Sequence, residues 1–422
     1  MTHSVGAQRE ATDVERVFRE VYGQAVATLV RIFGDITLAE DAVQDAFLVA
    51  SDRWPIGGIP PNPAGWIVTS ARNRAIDDLR RSTRGRELHE QLAALAPPDR
   101  EDPDEDGPVS DDQLRLIFTC CHPALRTEHQ VALTLRLLGG LSVDEVARSF
   151  LVSEPAMAKR LVRAKYKIKA ANIPYRVPAD ADLPERLRSV LSVIYLIYNT
   201  GADDPDRASL RTEAIRLGRA LVELMPDEPE AAGLLALMLL NESRMPARRA
   251  DGDLVLLRDQ DRTYWDRAMI DEGQAIVRAC IRRDQPGPYQ LQAAIQAVHS
   301  DADSFEATDW PQIVTLYNQL YAVMPTPVVA LNRAIAIGES EGPEAALDAL
   351  DAVAHDLDHY YLLHAARGTT LRRLGQRDAA TTAYERAARL ATTDADRRFL
   401  AQQIEDLARD GGTDGHSSSL DP

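Results

Sequence analysis

Residues 141–170 constrain the fold of this chain most, because they predict two short helices joined by a tight turn. Ser142 can cap the first helix, and Glu145 can reach back to the cap, as in a capping box. Ser153 offers a second N-cap, and Pro155 suits the first turn of the next helix. Beyond Pro155 that helix carries six Lys or Arg residues and no acidic residue. The segment therefore predicts a helix-turn-helix whose second helix can meet DNA phosphates or base edges.

The distribution of charge bears on this interpretation, because a basic helix face can also be merely solvated. The whole chain has 48 Lys plus Arg against 65 Asp plus Glu, a net charge of −17, which argues against a protein that coats nucleic acid. Residues 113–172, by contrast, contain 10 basic and 4 acidic residues. Residues 97–112 contain eight carboxylates and predict a flexible acidic linker. A basic module beside an acidic segment favours site-specific DNA binding.

The composition predicts an all-α fold. Aromatic residues make up only 5% of the chain, Ala, Leu and Arg are abundant, and no run alternates Val, Ile or Thr with polar residues. Three cysteines cannot build a disulfide framework, which fits a reducing compartment. The longest uncharged apolar runs, 190–197 and 231–240, are too short to span a bilayer, and the first residues lack a secretory signal pattern. We expect a soluble, cytoplasmic protein.

No pattern indicates a catalytic, cofactor or metal site. Cys120, Cys121 and His122 are adjacent, and adjacent cysteines chelate one tetrahedral ion poorly. We expect them to be buried beneath the helix-turn-helix. The sequence has no GxGxxG or Walker loop, and no histidine has a nucleophile partner at a recognisable spacing. We therefore expect no enzyme activity, no cofactor and no metal.

Two helical segments precede the acidic linker. Residues 14–53 have apolar residues at every third or fourth position, and the opposite face carries Asp41, Gln44, Asp45 and Leu48. Pro63 is placed to open a second helix. The outer face of that helix carries Arg72, Arg74, Arg80 and Arg81. Trp54, beside a Pro/Gly loop, is the better candidate for an exposed aromatic, whereas Trp66 has core-like neighbours.

Helical patterns continue through the C-terminal half, and one segment has the spacing of a tetratricopeptide unit. The positions that carry this spacing are Gly368, Leu371, Ala380, Tyr384 and Ala387, with a weaker echo at Ala334, Ile337, Ala346 and Leu350. An ordinary Ala-rich hairpin is the alternative. A helical-repeat domain would offer a concave surface to a regulatory protein or a ligand.

Taken in order, residues 14–170 resemble a bacterial extracytoplasmic-function sigma factor, a promoter-recognition subunit of RNA polymerase in the sigma-70 family. Residues 39–47, AEDAVQDAF, are similar to the core-binding helix of that family. Residues 66–81, WIVTSARNRAIDDLRR, are similar to its −10 reading helix. Residues 141–169 resemble its −35 reading domain.

The remaining chain resembles the sigma subgroup that has a C-terminal tetratricopeptide-like extension. The motifs are YLIYNTG at 195–201, EAAGLLALMLL at 230–240, and DQDR at 259–262 followed by Trp265 and Asp266. Where the subgroup has Asn-Glu-Gly-Tyr, this chain has Asn-Thr-Gly-Ala at 199–202. The implied organisation is region 2 at 1–88, an acidic flexible linker at 89–112, region 4 at 113–172, a linker at 173–182, a helical domain at 183–409 and a disordered tail at 410–422.

The resemblance also implies three binding surfaces. The core polymerase surface comprises Asp41, Gln44, Asp45 and Leu48, whose carboxylates suit Arg-rich helices. The −10 surface comprises Arg72, Asn73, Arg74, Arg80 and Arg81, which suit phosphates and an extruded base. The −35 surface places Glu154, Ala156, Lys159 and Arg160 near base edges, and Arg163, Lys165 and Lys167 at the DNA backbone.

Two other functions fit parts of the chain. A one-component helix-turn-helix regulator with a sensing repeat domain would bind duplex operator DNA without polymerase and would be indifferent to changes at Asp41 and Asp45. A pure tetratricopeptide-type scaffold leaves the arginines at 72–81 without a role. In a sigma factor, the extension either masks the polymerase surface or organises the other domains, and the sequence favours neither. We expect control from this extension rather than from a membrane anti-sigma protein.

Overall fold

The structure is a computed structural model of the 422-residue chain. It describes residues 17–18, 21–81, 108–150, 152–179, 182–202, 208–250, 253–391 and 393–413. Two compact units divide the chain, Met1–Met225 and Pro226–Pro422. The predicted all-α class is confirmed, since the strands of the described chain are two short antiparallel partners, β1 (Arg249–Ala250) and β2 (Asp253–Leu254).

Nine helices of the described residues belong to the first unit. They are α1 (residues 21–33), α2 (Ile36–Gly57), α3 (Pro63–Arg81), α4 (Pro108–Cys120), α5 (Thr127–Leu133), α6 (Val143–Ser149), α7 (Glu154–Ala170), α8 (Leu183–Ala202) and α9 (Ala208–Leu224). A π-helical turn, Thr134–Leu138, follows α5. Asp35 caps α2, its side chain accepting from the amides of Thr37 and Leu38. Pro63 opens α3 as predicted.

The tryptophans differ from the prediction. Trp54 is buried, and its ring packs edge-on against Trp66 with centroids 5.4 Å apart. Pro55 lies inside α2 without ending it, so the helix runs on to Gly57 and carries Trp54 on its inner face. Trp54, the better candidate for an exposed aromatic, is thus part of the core, where the two indoles shield each other's apolar surface from water.

Residues 141–170 form the predicted helix-turn-helix. The Ser142 hydroxyl accepts from the Glu145 amide at 3.1 Å, and the Glu145 carboxylate accepts from the Ser142 amide at 2.7 Å. Ser153 precedes α7, but its side chain makes no capping bond. Pro155 removes one amide of the first turn, and the Ala156 amide donates to the Ser153 carbonyl instead. The inner face of α7 comprises Met157, Leu161, Ala164 and Ile168, all buried as predicted.

The segments predicted as linkers contain anchored residues. Helix α4 begins at Pro108, so the last five residues of the predicted acidic linker are helical, and residues 89–107 lie outside the described chain. Asp112 is fully buried and accepts from Arg31 Nε at 2.7 Å and from Arg115 Nη1 at 3.0 Å. In the second linker, the Tyr175 hydroxyl lies 2.7 Å from the Ala27 carbonyl. These contacts join α1 to the start and the end of the helix-turn-helix domain.

Helices α1 and α2 pack closely against the helix-turn-helix domain. A Cβ on Gly23 would lie 2.8 Å from the Leu138 carbonyl oxygen, so only glycine permits this approach of α1 to the π-helical turn. Helices α8 and α9, which fall in the predicted C-terminal domain, belong to the first unit. They are held by Arg186, which donates to the Phe118 carbonyl at 2.6 Å, and by Arg216, which donates to the Leu138 carbonyl at 2.7 Å.

The second unit is a series of helical hairpins. Its helices are α10 (Pro229–Glu242), α11 (Arg267–Arg283), α12 (Pro288–Asp301), α13 (Trp310–Val323), α14 (Pro327–Ser340), α15 (Pro343–Asp351), α16 (Tyr361–Arg373), α17 (Arg377–Leu390) and α18 (Asp394–Thr413). A Cβ on Gly368 would lie 2.7 Å from the Tyr384 ring, so α16 and α17 approach as a tetratricopeptide unit requires. Helix α18 extends into the predicted tail, of which residues 414–422 lie outside the described chain.

Candidate nucleic-acid interface

Helix α7 exposes most of the predicted −35 surface. Glu154, Ala156, Lys159, Arg163 and Lys167 are all exposed. Because α7 begins at Glu154, the first of these side chains lie at the end of the helix that enters the major groove in a helix-turn-helix. The inner face packs on the domain core, so the exposed face is free to approach a duplex. The amphipathic pattern of the sequence therefore places these side chains as predicted.

Arg160 is half-buried and positioned by an aromatic ring. Its guanidinium carbon lies 5.1 Å from the centre of the Phe150 ring, within the range of a cation–π contact. A guanidinium that stacks on a ring keeps its in-plane N–H groups directed outward, as bidentate recognition of guanine requires. Burial, and next the guanidiniums of Arg126 and Arg160, lower the pKa of His129. The surface around the start of α7 is therefore electropositive.

Lys165 does not share this exposure. Its side chain is 16% exposed, and its ammonium forms an ion pair with the carboxylate of Glu40 in α2. The first turn of α7 faces solvent, whereas the part of the helix around Lys165 faces α2. These two parts of α7 therefore have different partners in this arrangement. Lys165 was predicted to meet the DNA backbone, and here its charge is already compensated within the protein.

Glu40 is a site residue that the sequence analysis missed. It is 4% exposed, and it accepts from Arg136 Nε at 2.5 Å, from Gln44 Nε2 at 3.1 Å and from Lys165. Arg136 Nη1 donates to the Leu141 carbonyl at 2.6 Å, at the start of the helix-turn-helix. The sequence feature that could have identified Glu40 is its position as a carboxylate on the apolar stripe of α2, between Ile36 and Val43. We call Glu40, Arg136 and Lys165 the ionic clamp.

The predicted polymerase surface on α2 is partly used within the protein. Leu48 is 65% exposed and Asp41 is exposed, whereas Gln44 and Asp45 are half-buried. Gln44 donates to Glu40, and partial burial together with the Glu40 charge raises the pKa of Asp41. An exposed leucine flanked by carboxylates can serve as an apolar anchor inside a polar rim. The four predicted residues thus lie on one face of α2.

The predicted −10 surface lies on α3 and touches the polymerase surface. Asn73, Arg74 and Arg80 are exposed and Arg72 is half-buried, while the side chain of Arg81 lies outside the described residues. Arg74 Nε donates to Asp45 at 2.9 Å, and Arg80 lies 3.7 Å from Asp77. Both pairs are well exposed, so they cost little to exchange for a partner molecule. The fold therefore brings two of the predicted surfaces into direct contact.

The cysteines beneath the helix-turn-helix are buried, as predicted. Burial raises the pKa of the Cys120 thiol and raises that of Cys121 to about 12, so neither is a ready thiolate. The Cys121 sulfur lies 3.6 Å from the Thr134 hydroxyl. Among the described residues, no group of three or more His, Cys, Asp or Glu side chains could hold a metal ion. No helix of the described chain is long and apolar enough to cross a membrane.

Three family models match this chain. Sigma-70 region 2 matches residues 17–85, and Sigma-70, region 4 matches residues 115–168. A family of unknown function, DUF6596, matches residues 186–281. The first match covers the polymerase and −10 surfaces, and the second covers the recognition helix.

Several proteins are similar to this chain. An uncharacterized protein of Rhizobium meliloti (strain 1021) is 44% identical over 92% of this chain and 95% of its own length. The ECF RNA polymerase sigma factor SigL of Mycobacterium tuberculosis (strain ATCC 25618 / H37Rv) is 29% identical over 37% of this chain and 88% of its own. A crystal structure of the P58(IPK) TPR domain aligns over 96% of this chain and 99% of that one, with 13% identity and a TM-score of 0.27, which is too low to support an argument about the fold.

Regions 2 and 4 on one chain, each with its characteristic helix exposed, define a sigma factor. The chain carries regions 2 and 4 of the sigma-70 family, and over this part it is similar to extracytoplasmic-function sigma factors. A series of helical hairpins follows these regions.

Proposed function

We propose that this sigma factor binds core RNA polymerase through α2, directs transcription from promoters through α3 and α7, and is regulated through its C-terminal extension. The observation that carries the proposal is the ionic clamp, because it joins the polymerase-binding helix to the recognition helix. A protein of this design acts by binding and positioning rather than by catalysis.

Core polymerase binds at the exposed face of α2. Leu48 offers an exposed apolar side chain, and Asp41 and Asp45 offer carboxylates on the same face. Asp45 can exchange its exposed pair with Arg74 for an arginine of the polymerase at little cost, since such pairs contribute about 0 to 1 kcal/mol. The exposed basic side chains of α3 and α7 make the DNA contacts.

The two DNA surfaces cannot reach both promoter elements in the clamped arrangement. Elements at −10 and −35 are separated by about 25 base pairs, or about 85 Å of B-form duplex. The distance from Arg74 to Lys159 can be bounded by a path through the protein. An ion pair joins Arg74 to Asp45, α2 leads from Asp45 to Glu40, a second ion pair joins Glu40 to Lys165, and α7 leads on to Lys159. That path is shorter than about 50 Å by side-chain length and helical rise. Regions 2 and 4 must therefore separate before both engage a promoter.

Contacts of the extension with region 4 support a role for the extension in this separation. Arg216 in α9 donates to the Leu138 carbonyl, and the same carbonyl oxygen lies against Gly23 of region 2. One peptide group of region 4 thus contacts both region 2 and the extension. We infer that the extension stabilises the clamped arrangement and that its release favours transcription.

The first experiment is retention of core polymerase by the intact protein, followed by run-off transcription from a promoter recovered by transcript sequencing. Leu48→Asp should weaken retention at least about tenfold, because it places a charge at the centre of the contact. Ile281→Asp is the matched control, since Ile281 is a 66% exposed apolar residue on α11 of the second unit. A protein that polymerase ignores, or that binds duplex operator DNA equally well without polymerase, would instead be a one-component regulator.

The second experiment tests the extension. Arg216→Gln removes the hydrogen bond to Leu138 and should raise run-off transcription at a fixed polymerase concentration. Arg188→Gln is the control, because Arg188 is exposed on α8 and donates within its own helix, to the Pro184 carbonyl. Equal transcription from the wild type and both variants would contradict regulation through this contact.

A further inference from the structure

A strap of the second unit lies beside its repeat helices and forms one wall of a partly open cavity. The strap comprises residues 254–258, beginning at the last residue of β2, and the Gln260 side chain braces it by donating to the Val255 carbonyl at 3.1 Å. The cavity has a volume of about 420 Å³ and lies between the strap and helices α14, α16 and α18. Volumes of about 300 to 1,000 Å³ are usual for small-molecule sites. The strap thus adds a wall to one side of the cavity.

The cavity walls are mainly apolar and aromatic. Their apolar side chains include Leu254, Leu257, Trp310, Ile335, Tyr361 and Phe399. These residues come from the strap and from four different helices, so the cavity depends on the fold of the whole unit. The walls can bury the apolar body of a ligand, which is the main source of binding energy in such sites.

The polar part of the cavity has an excess of positive charge. Arg258 of the strap and Arg373 of α16 both donate to one carboxylate oxygen of Glu339, at 3.0 and 2.9 Å. The single negative charge of Glu339 faces the two positive charges of Arg258 and Arg373, so Glu339 leaves one positive charge uncompensated. The Arg258 guanidinium also lies 4.9 Å from the centre of the Phe305 ring, so its position is fixed from a second side. A guanidinium pair of this kind suits a ligand carboxylate.

His299 supplies a neutral polar group to the same cavity. It lines the wall, is 8% exposed, and its Nδ1 has no hydrogen-bond partner among the described residues. Burial, and next the charges of Arg244 and Arg262, lower the pKa of His299 to about 3, so the ring is uncharged near neutral pH. A buried polar atom without a partner is costly, and a ligand hydroxyl or carbonyl group would satisfy it.

We propose that this cavity binds a small amphiphilic carboxylate, with its apolar body between the strap and the repeat helices and its carboxylate at Arg258 and Arg373. The cavity volume of about 420 Å³ lies in the range of small-molecule sites. The consequence for transcription rests on the regulatory role proposed above, whereas the binding itself does not.

The test uses the intact protein and three ten-carbon probes that differ only at one end, decanoate, decanol and decylamine. Binding is measured by calorimetry and by fluorescence of the tryptophans, of which Trp310 lines the cavity. Decanoate should bind at least about tenfold more tightly than decanol, equivalent to about 1.4 kcal/mol, and decylamine should bind most weakly. Equal affinities for the acid and the alcohol would overturn the proposal.

Substitutions in the cavity wall locate the site, and two of them should change decanoate affinity in opposite directions. Arg373→Gln should weaken decanoate binding at least about tenfold, whereas Glu339→Gln should strengthen it, because a competing carboxylate is removed. Ala365→Leu should block all three probes, since Ala365 is a half-buried residue of the cavity wall. Arg278→Gln is the control, on the exposed face of α11.

Each variant is first shown to retain the wild-type circular dichroism spectrum and melting temperature. Decanoate affinity that is unchanged in both Arg373→Gln and Ala365→Leu would place the binding elsewhere and overturn the assignment. Failure of decanoate to alter transcription, with tight binding intact, would count against the regulatory role of the extension and not against the site.

Discussion

Glu40 and Lys165, 125 residues apart in the chain, form an ion pair that joins the helix resembling a polymerase-binding helix to the recognition helix. Arg136 binds the same carboxylate from the π-helical turn of region 4. A buried carboxylate needs a cationic partner, because an unpaired buried charge is costly, and Glu40 has two such partners. The clamp therefore gives the contact between regions 2 and 4 two states rather than a continuous range of positions.

Lys165→Met should open this contact. Glu40 keeps Arg136 in the variant, so we expect a loss of about 1 to 2 kcal/mol, equivalent to a five- to thirtyfold shift toward the separated state. The measurement is a spin-label distance distribution between Ser51→Cys and Tyr166→Cys, two exposed positions in α2 and α7. A longer-distance population should appear. The three native cysteines are buried, so they should not take the label.

Lys167→Met is the matched control for the clamp, because Lys167 is exposed two residues further along α7. It removes the same charge and should leave the distance distribution unchanged. It should instead reduce the salt dependence of DNA binding by about one phosphate contact. If both variants gave the wild-type distances, the ion pair would not hold the regions together.

Arg160 and Arg163 should separate base recognition from backbone binding. Arg160, held by Phe150, should contact a guanine, so Arg160→Gln should cost about 1 to 3 kcal/mol and relax specificity at one position of the −35 element. Arg163 is exposed further along the helix, and Arg163→Gln should weaken all promoter sequences alike. Affinities for a set of single-base promoter variants at two salt concentrations measure both effects. Uniform weakening by both changes would contradict base recognition by Arg160.

Local features of this fold could be predicted from the sequence because they depend on neighbouring residues. The capping box of Ser142 and Glu145, the start of α3 at Pro63 and the inner face of α7 all follow from helical spacing and cap chemistry. The packing of Gly368 against Tyr384 was predictable for the same reason, since a repeat fixes their separation.

The ionic clamp and the strap could not be predicted in this way, because each joins segments that are distant in the sequence. A basic helix face predicts phosphate contacts for Lys165, but only the tertiary fold shows that Glu40 reaches it first. The strap at 254–258 lies in a short non-repeating segment between helices, so no periodicity marks its place beside Glu339. Helical periodicity in the sequence indicates which residues are exposed on a helix, but the partner of each residue depends on the tertiary fold.

Asp45 and Arg74 should serve different partners although they pair with each other. Their side chains are 34% and 49% exposed, so breaking the pair should change stability by less than about 1 kcal/mol. Asp45→Asn should weaken core polymerase binding, and Arg74→Gln should weaken binding of a single-stranded −10 oligonucleotide. Asp271→Asn is the control, an exposed acid on α11 of the second unit. Polymerase binding that is equal in Asp45→Asn and wild type would remove Asp45 from the polymerase surface.

His299 should make the stability of the second unit depend on pH. Burial lowers its pKa to about 3, below the ordinary value of 6.5, so the unfolded chain binds a proton that the folded chain does not bind between these values. The contribution of His299 to the free energy of unfolding is therefore fully present above about pH 6.5 and is lost as the pH falls toward 3. The expected decrease is about 2 kcal/mol between pH 7 and pH 5. Denaturant unfolding monitored by tryptophan fluorescence measures this decrease. His299→Gln should abolish most of it, whereas His359→Gln, at a 90% exposed side chain, should not. An identical pH dependence in wild type and His299→Gln would mean that the His299 ring is accessible to protons in the folded protein.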